Sequence, residues 1–270
     1  MKVITPPVAD FEVSEKPYYQ PLSDEVEVFE QAASQGLPVM LAGPTGCGKT
    51  RFVEYMAHRL SVPLVTVACH EDLTASDLLG RFLILGDETV WCDGPLTTAV
   101  RHGGIVYLDE VVEARNDTLV AIHPLSDHRR SLAIEKLGTV LKAPPSFMLV
   151  MSTNPGYQSL VKELKPSTRQ RFLWLDFDYP EALVEQQIVC EETGCDTKTA
   201  TALVAVANQV RSLRERGLEE GLSTRLLVYA GQLITGGLEA QRACEVAFVR
   251  GLSDDSSMQD AIRALVNDQF

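Results

Sequence analysis

Leu37-Pro38-Val39-Met40-Leu41-Ala42-Gly43-Pro44-Thr45-Gly46-Cys47-Gly48-Lys49-Thr50 is the stretch on which the fold turns. Its second half fits the phosphate-loop pattern Gly-x-x-x-x-Gly-Lys-Thr at every fixed position. The apolar residues before the loop read as a buried strand, and Arg51 to Leu60 after it read as a helix. Strand, loop and helix in that order turn a text match into a site. Glycines let the backbone bend and aim its N–H groups at phosphate oxygens. The helix N-terminus adds favourable partial positive charge. The pattern assigns Gly43, Pro44, Thr45, Gly46, Cys47, Gly48, Lys49 and Thr50 to the phosphates of a nucleotide. Lys49 reaches the β- and γ-phosphates and Thr50 holds Mg²⁺. The competing reading, a glycine-rich turn with no ligand, is disfavoured by the flanking elements.

Working outward, the chain has 270 residues, enough for one large domain or one domain plus a smaller one. Its 45% apolar content is ordinary for a globular protein. No apolar run approaches the ~18 residues of a membrane span. The start, Met1 to Pro7, has no apolar core with a cleavage site, so no secretory signal is expected. The six cysteines are scattered and none forms a Cys-x-x-Cys pair. That suits a reduced, cytoplasmic setting with neither disulfide nor zinc. Asp and Glu number 37 against 24 Lys and Arg, a net charge of −13. An anionic surface argues against nonspecific nucleic-acid binding, which needs clustered cations. Arg129-Arg130, the only adjacent basic pair, reads as a solvated turn.

Residues 1–36 read as an arm punctuated by Pro6, Pro7, Pro17 and Pro21, then a helix from Asp24 to Ala33. Further buried strands are expected at Pro63–Cys69, Ile105–Leu108, Phe147–Met151 and Leu173–Phe177. Short helices are expected at Thr74–Leu79, at Pro95–His102 with proline in the first turn, and at Asn116–Pro124. Two hairpins are expected, about 82–92 around Gly86-Asp87-Glu88 and about 130–142 around Lys136-Leu137-Gly138. Beyond Pro180 the period changes. Leu203, Val206, Ala207, Val210 and Leu213 form a helical stripe that Gly217 ends. Ser223 reads as the N-cap of a helix from Thr224 to Ile234, stopped by Gly236-Gly237. Helical stretches follow near 238–250 and 256–267. The expected fold class is α/β, a parallel sheet between helices. An arm plus nucleotide-binding domain spans 1–179, and a small all-helical domain spans 180–270.

A second constellation supports the loop. Ile105-Val106-Tyr107-Leu108 runs into Asp109-Glu110. In open α/β sheets, ligands bind at the carboxyl ends of strands. Asp109 there would hold Mg²⁺, and Glu110 would polarise the attacking water, because phosphoryl transfer depends on positioning and charge neutralisation. Asn154 ends the fourth strand, where its amide can bond the γ-phosphate and the water; a plain turn former before Pro155-Gly156 is the alternative. Arg169 and Arg171 flank the fifth strand and could reach a neighbouring subunit's nucleotide, or be ordinary surface charges. Arg225, in the first turn of a later helix, could report nucleotide state. His70 follows the second strand and could sense the γ-phosphate. His123 and His128 lack partners at metal spacing. Tyr18-Tyr19 could stack on adenine, although core packing is the commoner use of a tyrosine.

With these residues in order, the chain resembles the AAA+ ATPases over nearly its whole length. Gly43–Thr50 matches Walker A, Ile105–Glu110 Walker B, Asn154 sensor 1, Arg171-Phe172 the arginine finger, and Ser223-Thr224-Arg225 sensor 2. The hairpins match the helix-2 insert and the pre-sensor-1 hairpin of the helicase-like clade. Four longer stretches narrow the resemblance to the MoxR group and its CbbQ/NorQ branch. They are Gly94-Pro95-Leu96-Thr97-Thr98-Ala99, Leu108 to Arg115, Asn154 to Leu160, and Leu164-Lys165-Pro166-Ser167-Thr168. The resemblance implies an AAA+ core with a helical lid, a hexameric ring with ATP between subunits, and a von Willebrand A domain partner of the CbbO kind. On the CbbQ side, to which overall similarity leans, the target is Rubisco, cleared of inhibitory sugar phosphates. On the NorQ side it is nitric oxide reductase, which receives its non-haem iron. At His70 some relatives carry Asn, the usual γ-phosphate switch residue. A nucleotide-gated scaffold that uses little ATP is a second hypothesis. A helicase-like motor is a third, opposed by the acidity.

Overall fold

The run at residues 39–42 is apolar on both faces, and all of it is buried inside a five-stranded sheet. The computed structural model describes residues 2–154, 164–213, 218 and 220–270. Gly217 and the 155–160 part of the family match lie outside the described residues. Contacts group the chain into two compact units. The first comprises Met1–Pro17, Ser23–Ala42 and Thr50–Asp176, and the second Tyr18–Leu22, Gly43–Lys49 and Phe177–Phe270.

The first unit runs β1 (Val3–Ile4), α1 (Glu25–Gln35), β2 (Val39–Ala42), α2 (Lys49–Leu60), β3 (Leu64–Ala68), α3 (Ala75–Leu79), β4 (Gly80–Leu85), β5 (Glu88–Asp93), α4 (Pro95–His102) and β6 (Gly104–Asp109). It continues with α5 (Asn116–Ile122), β7 (Ser131–Ile134), β8 (Thr139–Lys142), β9 (Phe147–Thr153), α6 (Pro166–Arg169) and β10 (Leu173–Asp176). The main sheet has the order β10-β2-β9-β6-β3, and every neighbouring pair is parallel. Counted along the chain, these five strands stand 5-1-4-3-2. Parallel strands need both faces covered, which is why they read as continuous apolar runs. Met40, Val106, Leu108, Leu149 and Met151 join Leu78, Leu96 and Val100 in one buried cluster. Each such side chain contributes about 1.5–3 kcal/mol on burial. Ala42 stands opposite Thr153, Asp176 opposite Ala42, and Ala68 opposite Asp109. The strands therefore end level, and the residues after them emerge along one edge.

Both expected hairpins are present, β4–β5 and β7–β8. The first gains a strand absent from the sequence reading: β1 lies parallel to β5, with Val3 opposite Trp91 and Ile4 opposite Cys92. Buried Asp93 anchors this corner by accepting bonds from Thr5 Oγ1, Trp91 Nε1 and Arg101 Nε. The Arg129-Arg130 reading needs correction at its second residue. Arg129 is exposed, but Arg130 is half-buried, with φ +42°, and its guanidinium donates to the carbonyls of Gly36, Pro144 and Phe147. Those carbonyls come from two distant stretches of chain, so Arg130 ties the two together.

The second unit contains α7 (Ala182–Thr193), α8 (Thr197–Ser212), α9 (Thr224–Thr235) and α10 (Ala240–Cys244), which passes through a π-helical turn at Glu245–Val249 into α11 (Arg250–Leu252), and α12 (Ser256–Gln269). Leu203, Val206, Ala207 and Val210 are buried together, as their spacing requires. Ser223 holds the cap position of α9, but its hydroxyl makes no capping bond. It stands instead against the phosphate loop. Among the described residues, no helix is long and apolar enough to cross a membrane.

Candidate functional site

The phosphate loop leaves β2 and packs within the second unit. Gly46 and Gly48 adopt φ +69° and +102°, conformations that side chains rarely take. A Cβ on Gly46 would stand 2.6 Å from Ser223 Cβ and 3.4 Å from Arg225 Cβ. Gly46 is therefore required twice, by its backbone and by the approach of α9. A Cβ on Gly48 would meet nothing within 4 Å, so the loop is open there. Lys49 Nζ, largely buried, donates to the carbonyls of Gly43 and Pro44 at 2.8 and 2.9 Å. Burial pushes the Cys47 thiol up, while Lys49 pulls the other way.

The loop is tied into its unit by Tyr179, whose hydroxyl lies 3.3 Å from the Thr45 carbonyl and 3.2 Å from that of Gly221. The Arg211 guanidinium stacks 4.0 Å over the Tyr179 ring and donates to the Leu222 carbonyl. It also grips Glu185 with two bonds of 2.6 and 2.8 Å. Thr224 Oγ1 donates to the same carboxylate, which is fully buried. Charge on Glu185 is thus matched by a bidentate cation, the arrangement a buried carboxylate needs.

The acidic strand end builds a second cluster inside the first unit. Tyr107 hydroxyl donates to Asp109 Oδ1 at 2.6 Å and lies 3.4 Å from Thr50 Oγ1. Ser152 Oγ donates to the same Asp109 oxygen and accepts from the Glu110 amide at 2.9 Å. Asn154 Nδ2 donates to Glu110 Oε1 at 3.1 Å. Thr50, Asp109, Glu110 and Asn154 are therefore brought together along one chain of contacts. Glu110 has φ +55°, unusual for a non-glycine residue and typical of functional sites. Burial, and then Asp109, raise the Tyr107 phenol, so it stays a donor. Burial, with the Asp109 and Glu110 charges behind it, pushes the Cys69 thiol up to about 12, so it stays protonated.

The bonds to Asp109 come from neutral hydroxyls and fall on one oxygen. Among the described residues no cation pairs with it. A carboxylate and a hydroxyl linked through one phenol are hard oxygen donors suited to Mg²⁺. That set within the first unit fits a magnesium ion, and the loop within the second, open at Gly48, fits phosphate oxygens.

The remaining candidates make their contacts elsewhere. Arg171 Nη1 donates to Asp127 Oδ2 at 3.0 Å. Arg169 lies 4.9 Å over the Trp174 ring. His70 is exposed beyond β3. His123 Nε2 is 3.2 Å from Thr168 Oγ1, and burial, then Arg171, lower its pKa. Tyr18 and Tyr19 are half-buried in the second unit. Sequence reasoning missed Ser152, Tyr179 and the Glu185–Arg211 pair, and it read Tyr107 only as strand. The one signal for Tyr107 and Ser152 was a polar tip inside an otherwise apolar strand.

A parallel sheet in 5-1-4-3-2 order, whose first strand feeds a phosphate loop, marks the AAA class of P-loop ATPases. Residues 38–172 match the AAA domain of the dynein-related subfamily. Residues 185–269 match the CbbQ/NirQ/NorQ C-terminal domain. The chain belongs to the CbbQ/NirQ/NorQ family of AAA ATPases. It is 57% identical to protein CbbQ of Hydrogenophilus thermoluteolus, over 96% of this chain and 97% of that one. It is 58% identical to the denitrification regulatory protein NirQ of Pseudomonas aeruginosa, over 93% and 96%. It is 56% identical to protein NorQ of Paracoccus denitrificans, over 92% of each. Among solved structures, a RuvB mutant from Thermotoga maritima superposes with a TM-score of 0.56 at 13% identity, covering 91% of this chain and 68% of that one. That likeness concerns the fold.

Proposed function

We propose that this ATPase is the motor of a hexameric ring that works in the cytoplasm with a von Willebrand A domain partner. Its target is Rubisco, remodelled so that inhibitory sugar phosphates leave the active site. The observation that carries the motor reading is the continuous contact chain Thr50–Tyr107–Asp109–Ser152–Glu110–Asn154. We take 1–179 as the nucleotide-binding domain and 180–270 as the lid.

In this reading Lys49 exchanges its bonds to the Gly43 and Pro44 carbonyls for phosphate oxygens, and the loop amides around Gly46 and Gly48 receive the rest. Thr50 and Asp109 hold Mg²⁺, which when bound neutralises phosphate charge. Asn154 fixes one oxygen of Glu110, leaving the other to orient and polarise water. Arg225, next to Gly46, adds positive charge to the loop. Arg171, aided by Arg169, acts on the nucleotide of the neighbouring subunit.

The test is ATP turnover by the purified chain. Glu110→Gln is expected to keep ATP bound and lose about a hundredfold or more in rate; full turnover removes Glu110 from this role. For the target, the expected result is ATP-dependent reactivation of sugar-phosphate-inhibited Rubisco with the partner protein. Maturation of nitric oxide reductase is the second reading, favoured by identities of 58% to NirQ and 56% to NorQ beside 57% to CbbQ. Activation supported equally by a nonhydrolysable analogue would mark a nucleotide-gated scaffold instead.

A further inference from the structure

Arg171 is held in an unusual way. Among the described residues its guanidinium makes one hydrogen bond, from Nη1 to Asp127 Oδ2, and its Nε is buried without a partner. Arginine in a purely structural ion pair is commonly bidentate, as Arg211 is on Glu185. A buried polar atom left unpaired calls for an explanation. Here the guanidinium is gripped by one corner, with donors to spare, and the side chain is 31% exposed.

Asp127 is not free to follow Arg171. It accepts from Arg129 Nε at 2.9 and 3.2 Å, from Arg129 Nη2 at 2.7 Å and from the Arg129 amide at 3.0 Å. These bonds from Arg129, with Arg171 adding to them, hold the Asp127 carboxyl well below the usual carboxylate range. The fork of Arg129 locks the carboxylate, and the locked carboxylate locates Nη1 of Arg171.

We infer that Asp127 is a positioning residue for Arg171: clamped by Arg129, it fixes one end of the guanidinium and leaves the other to meet an anionic oxygen from outside this chain. Resting on the trans-acting role proposed for Arg171, that oxygen belongs to the triphosphate of the neighbouring subunit. Asp127 touches no substrate. It acts by setting where Arg171 points, and small misplacements of a charge-neutralising group are costly in rate.

The experiment is a cycle of Asp127→Asn, Arg171→Ala and the double variant in the full-length chain. Steady-state ATP hydrolysis and nucleotide affinity are both read. Asp127→Asn is expected to lower kcat about tenfold or more, with KM for ATP within about twofold of wild type. In the Arg171→Ala background the same change is expected to cost nothing further, because Asp127 acts through Arg171. Asp127→Glu is expected to recover part of the loss. Wild-type kcat in Asp127→Asn, or losses that multiply in the double variant, overturns the inference while leaving Arg171 in its role. Wild-type turnover in Arg171→Ala removes the underlying role itself, and the inference with it.

Discussion

Glu185 and Asp109 are both carboxylates set among hydrogen-bond donors, and their surroundings differ in one respect. Glu185 is fully buried and faces a cation, the two-pronged Arg211, with Thr224 beside it. Asp109 faces neutral hydroxyls, Tyr107 and Ser152, crowded onto a single oxygen. The first arrangement is electrically closed. The second lacks a counter-charge among the described residues, and it stands where strands end on the ligand-binding edge of an open sheet. A matched buried charge is complete within the chain, whereas the unmatched one at the strand end is where the proposed Mg²⁺ would sit.

The sharpest way to break this contrast is to remove Glu185. Glu185→Ala leaves Arg211 buried and unmatched, and a loss of about 3–5 kcal/mol is expected in denaturant unfolding. Replacing both partners by apolar residues, Glu185→Leu with Arg211→Met, is expected to recover much of it. Asp109→Asn is expected to do the opposite: unfolding within about 1 kcal/mol of wild type, and magnesium-dependent hydrolysis down about a hundredfold. Equal stability losses at both sites would erase the distinction. Tyr107→Phe takes one neutral donor from Asp109, so a loss near 1 kcal/mol is expected, with more magnesium needed for half-maximal turnover. The smallest effect concerns acid. The folded pKa of Asp127 is depressed, so its pairs stabilise above the unfolded carboxylate value near ~4, and that contribution fades as pH falls below it. Asp127→Asn is expected to flatten this part of the melting-temperature profile.

Much of this was legible in the residues. Fully apolar runs at 39–42, 105–108 and 147–151 leave a strand no wet face, and the glycine pattern between 43 and 50 fits a loop that must turn sharply. Proline at 95 and the alternation across 82–92 fixed a helix start and a hairpin. What escaped depended on partners far along the chain. α7 has apolar residues around its whole circumference, with Leu183 out in solvent and Glu185 in the core, so no stripe announces it. Arg130 looks like any surface cation until the carbonyls of Gly36, Pro144 and Phe147 surround it. Ser223 offers the chemistry of a cap and holds the cap position, yet its hydroxyl makes no capping bond and Gly46 passes close beside it. The pairing of β1 with β5 spans nearly ninety positions, and two residues carry no readable period.

That short strand has a practical consequence. Val3–Ile4 is held by ladder bonds and by Thr5 on Asp93, while positions 14–16 further along are exposed. A protease nick there would leave the leading peptide seated like a bound inhibitor. A synthetic copy carrying a fluorophore could compete for the berth, and its exchange rate would time the release of β1 from the edge of β5.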